Sequence, residues 1–179
     1  MTTTLKAIET RYKGYRFRSR LEARWAVYFD TLGCEWEYEK EGYDLGDAGW
    51  YLPDFWLKSV NMWAEVKAVE FTRQEQARCT ALTEQTGFPC LMLVGPPAVQ
   101  PYFATVKCDR EDGDEHDDYC GCSLDVRMLD YLLTEEYLHS EHRFFVCPGG
   151  GEQPFPRQLK AVEAARSARF EYGESGNVR

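Results

Sequence analysis

The sequence predicts an α+β fold, a mixed β-sheet flanked by helices with a less regular C-terminal extension. Three observations lead there. Two segments read as helices that close on glycine, the first from apolar residues at helical spacing before Gly33 and the second from a capping box at Thr72 and Glu75 before Gly87. Between those segments the stretch "YLPDFWLKSVNMWAEVKA", Tyr51 to Ala68, alternates with period two around a polar turn. After the second helix, "PCLMLVGPP" is a short apolar run stopped by Gly-Pro-Pro, the pattern of a buried strand.

In chain order, "YRFRSRLEARWAVYFDTLG" reads as a short strand and then a helix from about Ser19 to Leu32. Leu21, Trp25, Tyr28, Phe29 and Leu32 form its apolar stripe. "EWEYEKEGYDLG" is a strand and a turn, followed by the hairpin. "EFTRQEQARCTALTEQTG" is the second helix, opened by a capping box in which Thr72 and Glu75 satisfy each other's free backbone donors. Residues 1–100 thus make a core. Residues 101–179 read as an extension packed on the same domain: "YFATVKC" as one more strand, an acidic loop, a helix from Leu124 to Leu138, and a C-terminal helix after the linker "CPGGGEQPFP".

Composition narrows the class. With 44% hydrophobic and 28% charged residues, the chain has the make-up of a water-soluble globular protein. No run reaches the ~18 apolar residues of a membrane helix, and the N-terminus lacks a secretory signal, so a cytoplasmic location without membrane contact is expected. Seven cysteines without framework spacing read as reduced thiols. Cys108, Cys120, Cys122 and Cys147, with His116, His139 or His142 as substitutes, do not form paired Cys-x₂-Cys knuckles, so a structural Zn²⁺ site is the lesser reading of them.

The net charge of -9 speaks against a polyanion partner, but the charges are unevenly placed. Residues 1 to 24 carry Lys6, Arg11, Lys13, Arg16, Arg18, Arg20 and Arg24 against only Glu9 and Glu22, whereas seven acids crowd Asp109 to Asp118. That acidic run misses calcium-loop spacing and reads as a solvated loop. A basic face near the N-terminus is left for nucleic acid.

The hairpin carries the chemistry. With Lys58 to Asn61 as the turn, Leu57 opposes Met62, Trp56 opposes Trp63, Phe55 opposes Ala64, and Asp54 falls opposite Glu65. Phe55, Leu57, Met62, Ala64 and Val66 then share one apolar face, and Asp54, Trp56, Trp63, Glu65 and Lys67 the other. Trp56 and Trp63 read as a cross-strand pair under a helix rather than a platform for bases. Two facing carboxylates lie about 5 Å apart and repel unless a cation intervenes. Mg²⁺, commonly bound by one or two carboxylates plus water and phosphate oxygens, supplies that cation. Lys67 can hold a water or neutralise a phosphate there; in the plainer reading it makes a surface ion pair.

Pro53-Asp54 followed by Glu65-Val66-Lys67 resembles the PD-(D/E)xK nuclease superfamily, whose restriction-endonuclease-like core is a mixed sheet flanked by helices. "SRLEARWAVYFDTLG" adds to the match, because many members carry a glutamate on the helix before the hairpin. Trp36-Glu37-Tyr38-Glu39 and "YLPDFWL" are similar to small phage or prophage proteins of this kind. The resemblance covers Tyr12 to Pro97. It implies a Mg²⁺- or Mn²⁺-dependent endonuclease acting on DNA, with Asp54, Glu65 and Glu22 at the metal and Lys67 positioning or activating water. Glu22 has a second reading, since Ser19-Arg20-Leu21-Glu22 is also a capping box. Lys13, Arg16, Arg18 and Arg20 are the expected contacts to the DNA backbone, and cutting both strands with one site per chain favours a homodimer. The Gln-x-x-x-Tyr motif of RecB-type exonucleases is missing: Arg78 follows Gln74 by four, and Thr80 follows Gln76. The alternative function is a catalytically inactive module of the same fold that binds nucleic acid or protein.

Overall fold

The computed structural model describes residues 7–99, 101–105, 123–125 and 156–170. Its centre is a six-stranded mixed sheet in the order β10-β9-β8-β7-β6-β3, comprising β3 (Trp36–Tyr38), β6 (Phe55–Leu57), β7 (Met62–Lys67), β8 (Cys90–Val94), β9 (Pro101–Thr105) and β10 (Ser123–Asp125). The predicted α+β architecture is what forms. Two small antiparallel pairs flank the sheet, β1 (Thr10–Tyr12) with β2 (Tyr15–Phe17) and β4 (Tyr43–Asp44) with β5 (Trp50–Tyr51). The β1–β2 turn places Lys13 and Gly14 at φ 47 and 85, the left-handed geometry that matches hairpin twist.

The β6–β7 hairpin has the register read from sequence, Phe55 facing Ala64, Trp56 facing Trp63 and Leu57 facing Met62. Asn61, at φ 51, turns the chain. β7 and β8 run parallel with helix α2 (Arg73–Thr86) as the crossover, since parallel neighbours cannot be joined by a tight turn. α2 has the expected capping box between Thr72 and Glu75, and Gly87 ends it at φ 75.

Period-two alternation sorts the sheet into two layers. Phe55, Leu57, Met62, Ala64, Val66, Leu91 and Leu93 pack towards α1 (Arg20–Leu32). Trp56, Trp63, Cys90 and Met92 point the other way, towards Cys79 and Leu82 of α2. The tryptophan rings, with centroids 4.6 Å apart, thus pack under a helix, and the Trp63 indole donates to Thr86 Oγ1 at 3.2 Å.

α1 is capped by Ser19 and closed by Gly33 at φ 77. Its buried residues exceed the predicted stripe, adding Ala23, Ala26 and Val27. A third helix, α3 (Pro156–Ser167), explains this by packing on α1 with Ala161, Ala164 and Ala165 buried. Arg157 donates to the Leu32 carbonyl at the end of α1, so the two helices are tied by polar contacts as well. The C-terminal helix was expected, and its packing completes the α1 side of the core.

One expectation is corrected. Leu124 and Asp125, read as the start of a helix, belong to β10, where Leu124 faces Tyr102 and Asp125 faces Pro101. Pairing there satisfies backbone donors and acceptors that β9 would otherwise leave open at the sheet edge. The rest of that helix, the acidic run Asp109 to Asp118, most of the linker, and Cys108, Cys120, Cys122, Cys147, His116, His139 and His142 lie outside the described residues. Among the described residues, Cys34, Cys79 and Cys90 are free thiols, and no helix is long and apolar enough to cross a membrane.

Candidate active site

Asp54 lies at the bend just before β6, and its side chain is only 3% exposed. Burial of a carboxylate is tolerated where its oxygens are bonded. Oδ2 accepts the Val66 amide at 2.8 Å, and Oδ1 takes Arg18 Nη2 at 2.6 Å. The Asp54 amide in turn donates to Glu65 Oε2 at 3.3 Å. Asp54 and Glu65 therefore face each other one step beyond the last regular pair of the hairpin, as the register predicted.

The other Glu65 oxygen, Oε1, meets Lys67 Nζ at 2.9 Å. Lys67 also reaches Glu75 at 3.4 Å, so the capping glutamate of α2 has a second role beside the strand. Burial opposes the charge on Lys67, but Glu65, Asp54 and Glu75 outweigh it and raise the pKa, which keeps the side chain an ammonium at neutral pH. The opposite holds at Asp54. Its pKa is raised well above the carboxylate norm by burial first and then by the Glu65 and Glu22 charges, against the lowering effects of the Val66 amide and Arg18. Each of the two carboxylates has one cationic partner, and burial is the largest influence on Asp54.

Glu22 completes the cluster from α1. Its Oε1 accepts Ser19 Oγ at 2.7 Å, while Oε2 accepts the Tyr38 hydroxyl at 2.5 Å and the Arg18 amide at 3.1 Å. Ser19 caps Glu22 as expected, but the bond returned by the glutamate goes to the amide of Arg18, one residue earlier. The capping reading of Glu22 is seen in these bonds, and its charge also acts on Asp54.

The four predicted backbone-contact residues separate. Lys13 pairs with Asp30 at 2.8 Å, and Arg16 pairs with Glu9. Arg18 is drawn into the site, bridging Asp54 and Glu39, the latter at 2.8 Å. Arg20 is on the α3 side of α1, beside Arg24, Arg166 and Arg169. Sequence reasoning missed Arg18 as the counter-ion of Asp54, Tyr38 as the ligand of Glu22, and Glu75 beside Lys67. The available signal for Tyr38 was alternation in "WEY", which places it next to Phe55 on the strand adjoining the hairpin.

Among the described residues, no group of three or more His, Cys, Asp and Glu side chains converges closely enough to hold a metal ion by itself. The donor chemistry nevertheless suits Mg²⁺ or Mn²⁺. Asp54 Oδ1 and Glu65 Oε1 are each bound to a side-chain cation, and Mg²⁺ keeps waters and phosphate oxygens in most of its shell. Two carboxylates from the protein are then enough.

No protein-family model, curated protein or solved structure matches the chain.

Proposed function

We propose that the chain is a divalent-metal-dependent nuclease of the PD-(D/E)xK type, hydrolysing phosphodiester bonds in DNA. One observation carries the proposal: Asp54 and Glu65 are buried face to face, and Asp54 resists ionisation because of that burial and the neighbouring carboxylates. A protein gains nothing for stability from such an arrangement, so a bound cation is its natural complement.

Asp54 and Glu65 would hold Mg²⁺ or Mn²⁺, with Glu22 behind them anchoring the cap and Tyr38. The ion, when bound, acidifies a water and offsets charge on the phosphate. Lys67, kept protonated by Glu65 and Glu75, donates to the attacking water or to a phosphate oxygen and orients it. Arg18, whose side chain is 56% exposed, would be free to leave Asp54 for a DNA phosphate. Cleavage in the cytoplasm by a homodimer accords with one site per chain and two strands to cut.

A second reading is favoured by two specific contacts, one on each carboxylate. Arg18 and Lys67 already pair with both carboxylates, as in a module of this fold that binds nucleic acid or protein without cutting. Substituting Asp54→Asn and Glu65→Gln separates the two. The nuclease loses chelator-sensitive cleavage and calorimetric Ca²⁺ binding together in each variant. The non-catalytic module shows no cleavage with any of the ions to begin with.

A further inference from the structure

We propose that the cavity between the start of α1 and the end of α3 is a phosphate-binding site that takes a backbone phosphate of nucleic acid away from the carboxylate cluster. The cavity measures about 440 Å³ and is lined by Arg20, Arg24, Arg166 and Arg169 over Ala168 and Phe170. Four arginines line it, yet among the described residues none of them pairs with a carboxylate. Lys13, Arg16, Arg18, Lys40, Lys58 and Lys67 all do. In a chain of net charge -9, acids were abundant enough to neutralise this cluster. Among the described residues it is instead left as a concentration of positive charge.

The positions are built rather than accidental. Arg20 and Arg24 stand one helical turn apart on α1. Arg24 Nη1 donates to the Ala165 and Arg166 carbonyls at 3.1 and 2.8 Å, which fixes the end of α3 against α1. Arg166 Nε donates to the Pro97 carbonyl at 3.0 Å, leaving its remaining N–H groups for other acceptors. Arg20 Nε is buried without a hydrogen-bond partner among the described residues, a donor left unmet until an acceptor arrives. Phosphate oxygens supply such acceptors, and the planar fork of arginine binds them in pairs. Because Arg20 is two residues before Glu22, about 200° around the helix, the cavity opens on a different flank of α1 from the cluster. A strand held there is gripped beyond the bond being cut.

The choice of nucleic acid as the source of the phosphate rests on the nuclease proposal, and the test keeps the two apart. Duplex and single-stranded oligonucleotide binding is followed by fluorescence anisotropy in Ca²⁺ over a range of salt for wild type, Arg20→Gln, Arg169→Gln and Arg169→Lys. Each glutamine variant is expected to weaken binding and lower the log-log salt slope by about 0.9 on duplex, with Arg169→Lys keeping the wild-type slope. Arg169 is exposed, so its variant reports even where Arg20→Gln perturbs folding. An unchanged slope in Arg169→Gln, or no binding of either oligonucleotide by wild type, overturns the site. If the slopes fall but no metal supports cleavage, the cavity stands and the nuclease fails. If Asp54→Asn abolishes cleavage while the slopes ignore both arginines, the reverse holds.

Discussion

The Asp54 amide donates to Glu65 Oε2, while the Asp54 carboxylate receives the amide of Val66, the residue after Glu65. This crossed pair of bonds fixes the two acids at the head of the hairpin through the backbone, independently of any rotamer preference. It also fixes their repulsion.

That repulsion has a sign in pH. Burial, Glu65 and Glu22 raise the Asp54 pKa, whereas in the unfolded chain the group ionises near about 4. As pH rises from there towards the folded value, the native state keeps a proton that the unfolded state has lost, so the Asp54 contribution to stability falls with rising pH. Metal-free wild type minus Asp54→Asn, compared by thermal melting, should become less favourable to wild type from mildly acidic to neutral pH. Saturating Ca²⁺ should reverse the trend. A pH-independent difference would show that Asp54 is not under electrostatic stress.

Lys67 is held beside Glu65 as a cation, which in the proposed nuclease would serve the water or the phosphate and not ligate the metal. Lys67→Ala is expected to lower kcat about 100-fold or more, the usual cost of removing one donor to a developing charge. Calorimetric Ca²⁺ affinity should hold or improve. Collapse of metal binding in this variant would give Lys67 a structural part in the site instead.

Arg18 occupies Asp54 Oδ1 and, under the proposed function, would have to yield Asp54 to a metal. A half-exposed ion pair contributes about 0–1 kcal/mol, so Arg18→Gln should tighten Ca²⁺ binding by up to about fivefold. DNA affinity should weaken at the same time, because the guanidinium that moves to phosphate is gone. Weaker Ca²⁺ binding in Arg18→Gln would mean that the arginine organises Asp54 for the ion.

Much of this site was legible because the hairpin is local. Residues 55 to 64 set their own register through alternation and a polar turn, and that register brings Asp54 to Glu65. Capping chemistry likewise placed Ser19, Thr72, Glu75, Gly33 and Gly87, since each acts within one turn of its helix. Contacts across long stretches of chain were not legible. Arg18 reaches Asp54 and Tyr38 reaches Glu22 only because β2, β3 and α1 meet beside the hairpin. The arginine cavity needs α3 against α1, an approach of residues more than a hundred positions apart that no spacing rule encodes. Leu124 misled for a related reason: its short apolar pattern suits either period, and the open edge of β9 decided for strand.

The most direct measurement pairs a cleavage series in Mg²⁺ and Mn²⁺ with a gel-shift series in Ca²⁺, on plasmid, linear, single-stranded, four-way-junction and RNA substrates. Mg²⁺ and Mn²⁺ align and acidify an attacking water, while Ca²⁺ takes more ligands at longer distance and only neutralises the carboxylates. The prediction is cleavage of DNA in Mg²⁺ and Mn²⁺, abolished by chelator and by Asp54→Asn, with Ca²⁺ strengthening binding and yielding no product. Metal-strengthened binding with no product from any substrate in any of the three ions would contradict it.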